Sequence, residues 1–321
     1  MTERRWDIVV SGYVSMDHIL KIRSPARVGF TSLISNKSNT RIYYGGCPVN
    51  ISYALCRLGI RALPLLRVGD DYESNGFRNF LEQGGLPTAG ISRVAGEATS
   101  VCYLIQDNDG QHITLFYPGS MDGKYSRPMD DTFFIFSGMG LLTVGAYEDN
   151  REFFAGIKKH RLPLVFGMKS DKYAFPPDFL KEVLYYSSII FTNEDEREDI
   201  EKTFNIKLTD LLTDGNAEIL ITTMGKRGSR YYCKNKGQIE SAELPICDRG
   251  PPIDTAGSGD AYIAGFLYGY HKGRPVRECA LLGTVLSSFV IEQEGCCTGL
   301  PREDALLERQ KEFEKEIYGG T

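Results

Sequence analysis

"DTAGSGDAYIAGF", residues Asp254 to Phe266, decides how this chain is read. A glycine-rich turn runs straight into a stretch of helical character. Gly257, Ser258 and Gly259 carry almost no side chain, so the backbone there turns tightly and aims its N–H groups outward. The helix that follows, roughly Asp260 to His271, adds unpaired N–H groups and the positive end of its dipole. Together these make a nest for an oxyanion or a phosphoryl group. An acid at Asp260 then has two readings. It is an ordinary first-turn acid, favoured by the dipole by about 0.3–1 kcal/mol. Or it is a general base, taking a proton from a hydroxyl while the nest holds the charge that develops on the group under attack.

The chain around that stretch has 321 residues, 42% of them apolar and 25% charged, with a net charge of -5. This is globular composition, long enough for a substantial core without staples. The acidic balance and the lack of a long basic run exclude nucleic acid as the expected partner. Eight cysteines are scattered, with no CxxC, and the four histidines show no ligand spacing. Reduced thiols in a cytoplasm fit better than a disulfide framework or a zinc site. No signal-peptide core follows the charged start "MTERRWDIVVSG", and no apolar run reaches the roughly 18 residues of a membrane span. The expectation is a cytoplasmic protein with no membrane segment.

Apolar runs and helical periods alternate along the chain. "WDIVVSG", "ALPLLRVG", "TFFIFSG", "LPLVFG", "SSIIFTN" and "EILITTMG" read as strands. "PVNISYALCRLG", "ESNGFRNFLEQGG", Tyr147 to His160, Asp178 to Tyr186 and Glu194 to Phe204 read as helices. That alternation predicts an α/β fold with a mostly parallel sheet covered on both faces. Ligands of such sheets lie outside the carboxyl ends of the strands. Two stretches break the rhythm: "VSMDHILKI" with "NTRIYYGG", and "TSVCYLIQDNDGQHITLFYPG", which carries a hairpin signal at Asn108-Asp109-Gly110. They predict a small separate sheet, either a lid or a solvated edge extension. The tail "PREDALLERQKEFEKEIYGG" reads as a charged surface helix.

Other glycine clusters have their own alternatives. "GMGLLTVG" (Gly138 to Gly145) lacks the third glycine of a dinucleotide fingerprint, and no Walker A motif is present. "TMGKRGSRYY", with Gly225 and Gly228 around Lys226-Arg227, is either a hairpin turn or a backbone-and-cation rim for phosphates. Gly45-Gly46 before a helix allow close helix packing or close approach of a ligand.

These motifs, in this order, resemble the PfkB, or ribokinase-like, family of small-molecule kinases, nearly end to end. "GGCPVNISYALCRLG" (Gly45 to Gly59) looks like its N-terminal signature and "DTAGSGDAYIAGF" like its C-terminal one. "VGDDYESNGFRNFLEQGG" fits its usual helix entry, "TNEDE" carries its Asn-x-x-Glu as Asn193 and Glu196, and "TMGKRG" matches its nucleotide turn. Ala256 and Ser258 stand where Thr or Pro, and Ala, are more usual, and both keep the nest small. The resemblance implies a ribokinase-like three-layer α/β/α sandwich, a single kinase domain over residues 1–321, and a small β-sheet lid from segments near 14–44 and 97–120. It implies ATP-dependent phosphorylation of a primary hydroxymethyl, with magnesium and with potassium as a further candidate. Asp260 becomes the general base, and Gly257, Ser258 and Gly259 the anion hole. Asn193 and Glu196 organise magnesium through water, beside the alternative that they simply start a helix. Asn193, Thr223, Gly225, Lys226 and Gly228 line ATP. Asp17, Gly45, Gly46 and Asn50 line the acceptor pocket, and Asp254 and Ala256 sit where many members bind potassium.

The acceptor is only hinted at. The motifs look most like the prokaryotic nucleoside-kinase and adenosine-kinase-like branch, so a nucleoside such as adenosine, inosine or cytidine is favoured. Tyr103 and Phe116 either stack on a base or pack within the lid. A free sugar, as for a ribokinase or fructokinase, is the alternative. A binding protein that kept the fold and lost catalysis would show damage at Asp260 or in the nest, and both are intact. The lid sheet is a candidate homodimer surface.

Overall fold

The computed structural model describes residues 4–108 and 112–319. Strand β1 (Trp6–Ser11) is followed by β2 (Ser15–Lys21), the short β3 (Tyr43–Gly45), helix α1 (Cys47–Arg57), β4 (Ala62–Val68), helix α2 (Phe77–Gln83) and β5 (Ile91–Arg93). Then come β6 (Val101–Gln106), β7 (His112–Tyr117), α3 (Asp131–Ile135), β8 (Ser137–Leu142), α4 (Tyr147–His160), β9 (Leu164–Gly167), α5 (Pro177–Tyr186), β10 (Ile189–Asn193) and α6 (Glu194–Phe204). The chain closes with α7 (Leu211–Asp214), β11 (Ile219–Thr223), β12 (Ser229–Asn235), β13 (Gln238–Leu244), α8 (Ser258–His271), α9 (Val276–Val290) and α10 (Glu303–Tyr318).

A nine-stranded sheet runs in the order β13-β12-β11-β10-β9-β8-β1-β4-β5. From β11 to β5 every pairing is parallel, and β12 and β13 add an antiparallel edge. Because side chains alternate across a strand, each strand feeds both faces. Ile8 and Val10 join the core beneath α1, α8 and α9, while Val9 joins the one beneath α4 and α5. The same division separates Ile189 and Phe191 from Ile190, and Ile219 and Ile221 from Leu220. This is the three-layer sandwich expected. A second sheet of four strands, β3-β2-β6-β7, stands apart from it, with β2 and β6 parallel and the other pairs antiparallel. The turn expected at Asn108-Asp109-Gly110 falls partly outside the described residues.

Four local expectations are corrected. "TFFIFSG" is not a strand: Asp130 caps α3 by accepting from the Thr132 N–H, and β8 begins only at Ser137. "ESNGFRNFLEQGG" is helical only from Phe77, because Gly76 takes a left-handed φ of 85° that ends the preceding turn. "NTRIYYGG" yields a 3₁₀ turn at Lys37–Thr40 and just three strand residues. The tail helix α10 is not wholly surface, since Leu306, Gln310 and Phe313 are buried.

Candidate active site

Two helix N-termini meet at the centre of the molecule. Gly257 caps α8 at φ 76°, and a Cβ there would lie 2.7 Å from the Cys296 Cβ, so the position demands glycine. Ser287 Oγ on α9 donates to the Ser258 carbonyl at 2.7 Å and pins the turn. Gly259 faces open space, with nothing within 4 Å of where a Cβ would be. Asp260, on the first turn, is 7% exposed and accepts from Asn50 Nδ2 at 2.8 Å. Asn50 lies on the first turn of α1, which starts at Gly46. That glycine has φ 91°, and a Cβ on it would sit 2.1 Å from the Tyr13 carbonyl oxygen. Close backbone packing after β1 therefore fixes α1, and α1 fixes the partner of Asp260.

The small sheet contributes Asp17 from β2. Ser15 Oγ donates to Asp17 Oδ1. Gly45 keeps room beside it: a Cβ there would stand 3.0 Å from Asp17 Oδ2 and 3.3 Å from Asn50 Oδ1. Burial pushes the Asp17 carboxyl up to about 6, against the Ser15 hydrogen bond and with help from Asp254 and Asp260. In the register, Asp17, Cys102 and Phe116 are direct neighbours across β2, β6 and β7, so they share the face turned to Asp260. Phe116 meets Tyr13 edge-on at 5.0 Å. Tyr103 is one residue out of step. It lies on the opposite face, 42% exposed and stacked on His18, so the structure does not bring it to Asp17.

The other flank is a cleft of about 610 Å³. Thr223, Gly225, Lys226 and Gly228 line it from the end of β11, and Ser258 and Gly259 line it from α8. Gly225–Arg227 is a 3₁₀ turn joining antiparallel β11 and β12, so the hairpin and the cleft rim are one feature. Arg227 is drawn aside into an ion pair with Glu194. A second cavity of about 570 Å³, beside β4 and β5, contains none of the candidate residues.

Asn193 and Glu196 form a reciprocal capping box on α6. Asn193 Oδ1 accepts from the Glu196 N–H at 2.8 Å, and Glu196 Oε2 accepts from the Asn193 N–H at 2.7 Å. Burial raises the Glu196 carboxyl, opposed by the Asn193 N–H and by Lys169. Glu196 Oε1 keeps no protein partner among the described residues, so the pair suits a hydrated magnesium ion held through water. Asp254 uses both oxygens on backbone: Oδ1 accepts from the Ala256 N–H at 2.9 Å and Oδ2 from the Gly295 N–H at 3.1 Å. Its first observable work is to tie two loops together.

A family model for "pfkB family carbohydrate kinase" matches residues 6–303. The chain belongs to the pfkB family. It is thus a phosphotransferase with an alcohol group as acceptor. A nucleoside kinase of Methanocaldococcus jannaschii is 29% identical over 303 residues, 94% of this chain and 96% of the relative. The crystal structure of that archaeal nucleoside kinase superposes with a TM-score of 0.85, covering 97% of this chain and 99% of the other. A 5-dehydro-2-deoxygluconokinase of Clostridium perfringens is 23% identical, covering 99% of this chain and 96% of the relative.

Within this pfkB chain, several site residues escaped the motifs. Ile246 to Pro252 and α9 residues Thr284, Ser287 and Ser288 complete the cleft. Polar residues on an otherwise apolar helix were the available signal for the latter. Cys47, Cys296 and Cys297 crowd Asp260, and burial holds all three thiols well above their ordinary range. Lys169 and Glu294 sit in irregular segments and carry no periodic signal.

Proposed function

We propose that this kinase transfers the γ-phosphoryl group of ATP to the primary hydroxymethyl of a nucleoside, with Asp260 as general base. One observation carries the reading. The buried carboxylate held by Asn50 and the Gly257-Ser258-Gly259 turn, open at Gly259, share one helix N-terminus, between the cleft and the small sheet. The two sides divide the labour. Asp260 takes the proton from the acceptor hydroxyl, and the nest meets the charge on the phosphoryl oxygens. Phosphoryl transfer is largely positioning and charge stabilisation, so little further covalent machinery is needed. ATP occupies the cleft, whose volume lies in the usual range of about 300–1,000 Å³ for small-molecule sites. Thr223, Gly225, Lys226 and Gly228 line its phosphate side. Asn193 and Glu196 would hold the water shell of a magnesium ion, which would supply positive charge against the phosphates. A potassium ion at Asp254 and Ala256 rests on the family resemblance.

Asp17, Gly45 and Asn50 form the acceptor side, under Phe116. The archaeal relative supports a nucleoside. The Clostridium relative, a kinase of a sugar acid, and a probable fructokinase of Arabidopsis thaliana support a sugar-type acceptor as the second reading, since a carboxylate and an amide bind ribose and other polyols alike.

The test is an ATP-consumption screen over nucleosides, pentoses, hexoses and phosphosugars, run beside Asp260→Asn. Turnover of a nucleoside, lost by at least about 100-fold in the variant, is the expected result. Near-normal turnover in Asp260→Asn removes the base assignment. Turnover of sugars alone selects the second reading.

A further inference from the structure

Lys169 lies two residues beyond the end of β9, the central strand of the nine. Ligands of open α/β sheets bind off the carboxyl ends of such strands. Its side chain is exposed, and it forms no ion pair among the described residues. The groups that act on its ammonium come from four separate elements. They are Cys47 at the start of α1, Asp260 on α8, Glu196 on α6 and Cys296 in the loop after α9. Its chain neighbours fix its place: a Cβ at Gly167 would stand 3.1 Å from Ile263 on α8, and Ser170 Oγ donates to Asp199 on α6 at 2.8 Å, so Lys169 lies between the helix that carries Asp260 and the helix that carries Glu196. Arg227 is paired with Glu194, and Lys226 belongs to the cleft rim. A lysine that only balanced the buried acids would be expected to pair with one of them, and this one does not.

We propose that Lys169 is a further catalytic residue, placing its ammonium against the equatorial oxygens of the γ-phosphoryl group during transfer. The inference rests on the phosphoryl-transfer reading above. The bond from phosphorus to the β-phosphate bridging oxygen breaks, the bond to the acceptor oxygen forms, the acceptor proton goes to Asp260, and Lys169 keeps all its protons. The nest supplies N–H donors from the helix side, and Lys169 supplies a full charge from the strand side. The Cys47 sulfur, followed by Asp260 and Glu196, raises the Lys169 ammonium above its ordinary range, opposed by the protein atoms that crowd the ammonium end of an otherwise exposed residue. Burial keeps the Cys47 thiol protonated at neutral pH, so there the two carboxylates provide that field. Lys169 remains a cation across the neutral range.

The experiment compares wild type, Lys169→Met and Lys169→Arg. Three quantities are read: steady-state kinetics, the affinity for magnesium-ADP, and the affinity for magnesium-ADP with aluminium fluoride, which mimics the transferring phosphoryl group. Lys169→Met should lower kcat by about 100-fold, keep ADP affinity within about threefold, and lose the extra tightness that fluoride confers. Lys169→Arg should recover part of both. The proposal is overturned if Lys169→Met keeps kcat within about threefold, or binds the fluoride complex as tightly as wild type. It is also overturned if ADP affinity and melting temperature fall together with kcat, which marks a structural lysine. The fluoride arm needs no acceptor. If wild type phosphorylates nothing on the panel, the acceptor reading fails, and the fluoride measurement still decides the role of Lys169.

Discussion

Asn50 Nδ2 donates to Asp260 Oδ2 at 2.8 Å, across 210 positions of sequence. The bond joins the first turns of α1 and α8, so the two family signatures meet in one buried contact. Both residues are less than 10% exposed, and the carboxylate has little freedom to reorient once the amide holds it. A hydrogen bond to a charged group is worth about 1.5–3 kcal/mol. Asn50→Ala should therefore lower kcat by about 10- to 100-fold with a smaller effect on the KM for ATP. Steady-state kinetics with ATP and the best acceptor make the check. Unchanged kcat would mean that Asp260 needs no orienting partner.

Asp17, proposed to hold the acceptor, should make acceptor binding and stability depend on pH. Its carboxyl is raised from 3.8 to about 6, chiefly by burial. The folded protein thus binds this proton more tightly than the unfolded chain does. Ionising Asp17 costs stability, with no cost below about pH 4 and the full cost above about pH 6. At about 1.4 kcal/mol per unit, the cost is about 2–3 kcal/mol. In the proposed pocket acceptor hydroxyls would donate to the ionised form, so they should bind more tightly as pH rises through about 6. Asp17→Asn should melt higher than wild type at pH 7 without acceptor, melt equally near pH 4, and lose the pH dependence of acceptor affinity. Thermal melts and calorimetry from pH 4 to 8 read both effects. A pH-independent acceptor affinity in wild type would place the hydroxyl contacts elsewhere.

How far the sequence carried these conclusions depends on the kind of signal. Ile8, Val9 and Val10 form an unbroken β-branched run, the mark of a strand covered on both faces, and Tyr147 to His160 show a helical period, so the layers were legible. "TFFIFSG" misled because its aromatics suit a strand while its capping residue, Asp130, lies just outside the run. The separation of Phe116 from Tyr103 needs the register of β7 on β6 and of β6 on β2. Lys169 and Glu294 needed the tertiary structure outright. A single charged residue in an irregular segment has no period, and its meaning comes from what other elements bring beside it.

Gly257 and Gly259 separate fold from chemistry. An alanine at 257 takes a left-handed φ of 76° and places its Cβ against Cys296. The backbone cost alone is about 1–3 kcal/mol, so Gly257→Ala should melt lower and lose activity. An alanine at 259 meets nothing within 4 Å. Gly259→Ala should keep the melting temperature within a few degrees and still lower kcat, because its methyl group projects into the space assigned to the phosphoryl group. Melting curves beside kinetics test the pair. Full activity in Gly259→Ala would remove that residue from the nest.

Glu294 ties the small sheet to the body of the enzyme. Its Oε2 accepts from the Tyr43 hydroxyl on β3 at 2.5 Å, and its Oε1 faces Lys21 Nζ on β2 at 3.5 Å. The next residue, Gly295, packs its backbone against the Tyr43 ring and donates to Asp254 Oδ2. The link from the sheet thus continues through Gly295 to Asp254, three residues before the nest turn. Lys21 and Glu294 are both solvent-accessible, so the ion pair itself contributes little, about 0–1 kcal/mol. The Tyr43 bond and the ring contact hold the sheet's position. Glu294→Ala removes both polar links while leaving Asp260 and the cleft untouched. The acceptor KM should rise about three- to tenfold, from a loss of about 0.7–1.4 kcal/mol, with kcat nearly unchanged. Lys21→Met should change the KM by less than twofold, since it removes only the screened pair. Equal effects of the two substitutions would make the ion pair, not the Tyr43 contact, the link that holds the sheet and its Asp17 against the body.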